Sequence, residues 1–104
     1  MDTYDIVITK PAEHDLFEIG RYIFTELLEP ETAKRVISRI AAEINTLENM
    51  PLRNTLVNDL RLAHMGIRYL LVDNYIVFYN VSKTRKTVTI IRMLYSRRNW
   101  QNLL

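Results

Sequence analysis

Three features of this 104-residue sequence predict an α+β fold of order β-α-α-β-β-β, a helical hairpin packed on one face of a mostly antiparallel sheet. Apolar residues recur at three- and four-residue spacing from Ala12 to Leu47, with one proline break between. After Pro51 the period becomes strand-like. Finally, Asp73-Asn74 separates two runs rich in β-branched and aromatic residues, which is the chemistry of a two-residue hairpin link. A hydrophobic content of 48% with only two glycines and three prolines fits one globular domain over residues 1–104, with a modest core and no need of staples.

Taken in order, Tyr4-Asp-Ile-Val-Ile-Thr9 reads as a first strand, closed by Lys10-Pro11. Ala12, Leu16, Ile19, Ile23 and Leu27 then mark one face of a helix. Pro11 is tolerated in its first turn, and Glu13, Asp15 and Glu18 suit the positive end of its dipole. Glu29-Pro30-Glu31 breaks the pattern and restarts it, so Ala33, Val36, Ile37, Ile40, Ile44 and Leu47 face the core from a second helix, with Lys34, Arg35, Arg39 and Glu43 on the wet side. Residues Leu56 to Leu62 are expected to form a strand, followed by a turn at His64-Met65-Gly66. The strand pair Ile67–Val72 and Tyr75–Val81 follows, then a polar loop over Ser82–Lys86, and Thr87–Leu94 is the last strand.

Composition narrows the chemistry. With no cysteine and two scattered histidines, the expected site needs no metal and no cofactor. The start MDTYDIVITKP fits neither a secretory signal nor a transit peptide, and no apolar run approaches the roughly 18 residues of a membrane span. The expected location is the cytoplasm, without membrane contact.

The net charge of +2 hides an asymmetry. Residues 1–60 carry six basic and eleven acidic side chains, whereas residues 61–104 carry eight basic side chains and a single acid, Asp73. The second half therefore favours polyanions. Helices on one side are expected to leave the other side of the sheet as a shallow concave surface, flanked by a tail that Trp100, Leu103 and Leu104 anchor. Arg61, Arg68 and Arg92 fall in or beside predicted strands, and Arg97 and Arg98 follow the last one. Strict alternation places Arg68 with Leu70 and Val72, and Arg92 with Val88 and Ile90. Arginine forks bind phosphate and remain charged at physiological pH, but they do not shuttle protons. For cleavage of a phosphodiester, Tyr95 is the nearest proton-transfer candidate, ahead of Tyr79, Tyr69 and His64. Tyr69 and Tyr75 are expected to pack within strands.

Several segments, in order, resemble the RelE/ParE superfamily of type II toxin–antitoxin toxins. They are Thr9-Lys-Pro-Ala-Glu-His-Asp-Leu16, Tyr22-Ile23, Gly66-Ile-Arg68, Asn74-Tyr-Ile-Val-Phe-Tyr79 and Ile91-Arg-Met-Leu-Tyr-Ser-Arg-Arg-Asn-Trp100. Likeness to the RelE branch implies a metal-free, ribosome-dependent mRNA endoribonuclease. Its catalytic positions would be Arg68, Tyr95 and Arg97 or Arg98, with Arg61 and Arg92 binding nucleic acid. Asp59 departs from that pattern, an acid standing where relatives place a basic residue. Likeness to the ParE branch implies inhibition of DNA gyrase without nuclease chemistry, and its ending is equally close to Arg92…Tyr95…Arg97-Arg98-Asn99. The extra arginine and tyrosine favour the nuclease. Either branch implies a cognate antitoxin with an acidic, partly disordered tail, and a non-toxic antitoxin-binding module is the third possibility.

Overall fold

The computed structural model describes residues 3–104. Strand β1 (Asp5–Ile8) leads into helix α1 (Lys10–Arg21). The Thr9 hydroxyl caps this helix by accepting a hydrogen bond from the Ala12 amide at 3.3 Å, with Pro11 in the first turn as its fixed φ allows. The periodic pattern runs on to Leu27, but the α-helical bonding does not. The chain widens into a π-helical turn over Tyr22–Glu26, in which the Leu27 amide bonds the Tyr22 carbonyl. Leu28 then takes a left-handed φ of 54° at the tip of the hairpin. Helix α2 (Pro30–Asn45) returns, burying Ala33, Val36, Ile40 and Ile44 on one stripe.

The expected strand at Leu56–Leu62 does not form. Leu56 makes only an isolated bridge to Arg68, and the chain folds instead into a short helix α3 (Leu60–His64). Local capping outcompetes β-propensity here, because the Asp59 carboxylate accepts the Leu62 amide at 3.2 Å while Leu62 is fully buried. The acid that looked out of place among basic positions is thus the cap of this helix. Gly66 (φ 77°) supplies the left-handed residue after it, with open space where a Cβ would lie.

Strands β2 (Arg68–Val72), β3 (Tyr75–Ser82) and β4 (Thr87–Tyr95) complete the chain's sheet, whose spatial order is β1-β4-β3-β2. Only the β1–β4 pair is parallel. The Asp73-Asn74 link joins β2 to β3 as predicted, Asp73 alone taking a positive φ of 53°. Between β3 and β4 the register slips, since Phe78 pairs with Arg92 but Tyr79 pairs with Ile90, leaving Ile91 as an extra residue. That bulge corrects the alternation expected for Arg92. Val88 and Ile90 face the helices, but beyond the bulge it is Met93, not Arg92, that joins their cluster.

Two cores result. Helices α1 and α2 pack with Leu70, Val72, Val77, Tyr79, Val88, Ile90 and Met93 on one side of the sheet. On the other side Ile76, Phe78 and Leu94 are buried beneath Val57, Leu62 of α3 and a tail that ends in a 3-10 turn at Trp100–Asn102. The indole of Trp100 lies 5.0 Å from the ring of Phe78. The second face is therefore not the shallow open surface that a helical hairpin alone would leave. Its apolar strand ends would sit in water uncovered, and the tail removes them from it.

Candidate functional site

Three of the six candidate residues are committed to the fold. Arg68, half-buried at the start of β2, donates to the Asn54 carbonyl at 2.6 Å and to the Leu52 carbonyl at 3.4 Å. Beside it the buried Tyr79 hydroxyl donates to the Pro51 carbonyl at 2.7 Å and accepts from the Asn54 amide at 3.1 Å. Burial pushes the Tyr79 phenol up, against the smaller opposing effects of the Asn54 hydrogen bond and Arg68, so it stays protonated as a donor. These contacts hold the 51–54 loop on the sheet. Arg92 makes a two-point pair with Asp15 of α1, at 2.6 and 2.8 Å, and donates to the Leu103 carbonyl at 3.2 Å. Asp15 Oδ2 also accepts the Met93 amide at 3.0 Å, so this buried carboxylate takes three hydrogen bonds. Its hydrogen bond holds the Arg92 guanidinium even further into the charged state. Arg61, on α3 rather than on a strand, reaches the Gln101 carbonyl at 3.4 Å.

The other three sit together at the end of β4. Tyr95 is exposed and meets Tyr75 edge to face, ring centroids 5.9 Å apart. The chain turns immediately after it, with the Ser96 amide on the Asn74 carbonyl and the Arg98 amide on the Tyr95 carbonyl. Arg97 and Arg98 are exposed, and neither guanidinium has a hydrogen-bond or carboxylate partner among the described residues. Arg98 and Tyr95 border a cleft of about 560 Å³ between α1 and the β2–β3 link, which Tyr22, Tyr75, Asn74 and Glu18 also line. Across Leu27, Asn74 and Tyr75 the cleft continues into a second groove of about 750 Å³, where Arg35 and Arg39 stand on the α2 wall. Arg39 is paired to Asp73 at 2.9 Å. The pair of grooves thus carries aromatic rings on its floor and cations at both ends.

Of the proton-transfer candidates named from the sequence, Tyr95 lines the cleft, and Tyr79, Tyr69 and His64 do not. Burial, together with the neighbouring Tyr95 and Tyr22 phenols and the Asp73 carboxylate, pushes the Tyr75 phenol up, away from the phenolate. The Glu18 carboxyl is held below its ordinary value mainly by a hydrogen bond from Arg21, and Asp15 is engaged with Arg92. His14 and His64 line neither groove. Among the described residues no cluster of potential metal ligands exists. Sequence reasoning missed Tyr22, Asn74, Arg35 and Arg39, because nothing local marks residues that a hairpin tip and a strand link bring together.

The sequence matches the family described as ParE toxin of the type II toxin–antitoxin system parDE over residues 6–100. Three solved structures share the fold. A chromosomal ParDE toxin–antitoxin system of Pseudomonas aeruginosa aligns at 18% identity over 89% of this chain and 96% of that one, with a TM-score of 0.72. The RelBE2 toxin–antitoxin complex of Mycobacterium tuberculosis aligns at 19% identity over 89% and 98%, with a TM-score of 0.67. The archaeal RelE–RelB complex of Pyrococcus horikoshii OT3 aligns at 17% identity over 92% and 98%, with a TM-score of 0.61. No curated protein matches the sequence. No helix among the described residues is long and apolar enough to cross a membrane.

Proposed function

This chain belongs to the ParE toxin family of type II toxin–antitoxin systems, within the RelE/ParE superfamily, and on that premise we propose that it arrests growth by docking onto a protein target, DNA gyrase, rather than by cutting mRNA. The observation that carries this reading is the commitment of the arginines. Arg68 and Arg92, the cations a ribonuclease site would need beside a proton acceptor, are tied to backbone carbonyls and to Asp15. Both nuclease and inhibitor would use the one exposed group at the end of β4, but only the nuclease also needs a base there, and Tyr75 is biased toward its protonated form. Tyrosine floors flanked by unpaired arginine are what protein interfaces concentrate at their centres. Tyr95 and Arg98 are the docking residues in this proposal, Arg97 a flanking cation, and the cognate antitoxin, with an acidic flexible tail, masks the same grooves.

Purified protein added to a gyrase supercoiling reaction is expected to inhibit it, while mRNA in a reconstituted translation reaction stays intact. Arg98→Ala and Tyr95→Ala should each abolish inhibition with the fold unchanged by circular dichroism. Codon-positioned cuts that need the ribosome, with supercoiling untouched, would restore the RelE reading, with Arg68 a catalytic residue and Arg61 and Arg92 nucleic-acid contacts.

A further inference from the structure

The fold gives no reason for leucine at position 28. Leu28 follows the π-helical turn Tyr22–Glu26 and takes a left-handed φ of 54°, while the Glu29 amide closes the reversal on the Ile23 carbonyl at 3.1 Å. The position just past a helix end is where glycine or asparagine ordinarily supplies that conformation, because a larger side chain crowds the backbone there. Leucine meets the crowding without any gain from burial, since its side chain is 78% exposed, more than any other large hydrophobic residue among those described. Strain and exposure by themselves do not mark a site. Met50 combines a φ of 53° with 72% exposure and borders neither groove beside Tyr75. Leu28 differs by its place. Leu27, the residue before it, lines both of those grooves, so Leu28 lies one residue beyond the wall they share. Interfaces set an apolar centre within a polar rim. Here tyrosine rings form the floor, Arg98 and Arg35 stand at opposite ends, and Leu27-Leu28 is the apolar edge between them.

We propose that Leu28 is an anchor residue for the toxin's target, an apolar knob that enters a complementary pocket on DNA gyrase as the two grooves close on it; this rests on the gyrase reading above. A target that covers both grooves passes over the residue adjoining them, and burying a whole leucine side chain there removes from water the surface that the free toxin leaves exposed. A backbone already fixed by the Glu29–Ile23 hydrogen bond leaves little to order on contact. The same backbone costs the free toxin stability, which is the trade that strained residues at functional sites make.

Leu28→Asn separates this role from a structural one, because asparagine tolerates the left-handed backbone and carries no apolar knob. Thermal melts are expected to show Tm raised by about 4 °C, while the concentration giving half-inhibition of gyrase supercoiling rises by at least about tenfold. Met50→Asn, at the other strained and exposed position, should inhibit as wild type does. A Leu28→Asn protein that inhibits as strongly as wild type would overturn the inference and leave the gyrase reading standing. Loss of inhibition together with a lowered Tm would overturn it too, by showing Leu28 to be structural, and so would an equal loss of inhibition in Met50→Asn. Wild-type protein that leaves supercoiling untouched would remove the gyrase reading and this inference together.

Discussion

Arg92 and Arg98 stand six residues apart in the same segment, yet one is structural and the other is free. Arg92 follows a bulge that turns it off the face its sequence position predicts, and α1 delivers Asp15 to meet it from 77 residues away. Arg98 follows a turn beyond the end of β4, and its guanidinium pairs with no carboxylate among the described residues. An arginine's role is thus fixed less by its local sequence than by whether the fold offers it a desolvated carboxylate or a path back to water. Where the pair is buried, losing one partner strands a charge. In the exposed case, losing the cation is expected to leave the fold nearly unchanged.

The sharpest way to break that contrast is to remove one member of the buried pair. Asp15→Ala should destabilise the protein by about 3–5 kcal/mol, since it leaves the Arg92 guanidinium and the Met93 amide unpartnered. Denaturant unfolding would show it, and a loss near zero would mean that water reaches the pair freely. Tyr79→Phe is the next test, because it deletes the hydroxyl that joins the sheet to the 51–54 loop and orphans the Pro51 carbonyl. A loss of about 1–3 kcal/mol is expected, accompanied by faster amide exchange over residues 51–54.

A smaller effect is expected in alkali. The folded-state pKa of Tyr75 is raised from 10.0, so its contribution is fully present below about pH 10 and declines as pH rises through that value, where the unfolded chain ionises first. Tyr75→Phe should flatten that decline in a series of thermal melts from pH 8 to 11. An unchanged slope would transfer the effect to Tyr79, whose phenol is raised as well. The smallest change is predicted for Arg98→Ala, which should shift stability by less than about 0.5 kcal/mol in the same denaturant assay while abolishing growth arrest. A large shift would show that Arg98 has a structural partner after all.

Much of this architecture was legible in the residues alone. The stripe Ala33, Val36, Ile40, Ile44 announced α2, the capping chemistry of Thr9 and Pro11 opened α1, and Asp73-Asn74 set the β2–β3 register. These depend on neighbours within a few residues, where periodicity and turn stereochemistry act. Residues 56–62 misled for the opposite reason. Their hydrophobic content suits a strand or a helix, and the Asp59 cap together with burial of Leu62 beneath the tail chose the helix.

The composition likewise showed by itself that basic charge gathers in residues 61–104, and the order of motifs showed the superfamily. Tertiary structure alone decided which of those cations are free. A one-residue bulge at Ile91 and pairings spanning 14 residues for Arg68 and 77 for Arg92 withdrew two arginines from solvent. The helical hairpin meanwhile placed Tyr22 beside Tyr95 and Arg98, and Arg35 and Arg39 in the adjoining groove. Local pattern fixes elements because the forces that form them are short in sequence. A site depends on desolvation and contact between residues remote in sequence, and those exist only once the chain has closed on itself.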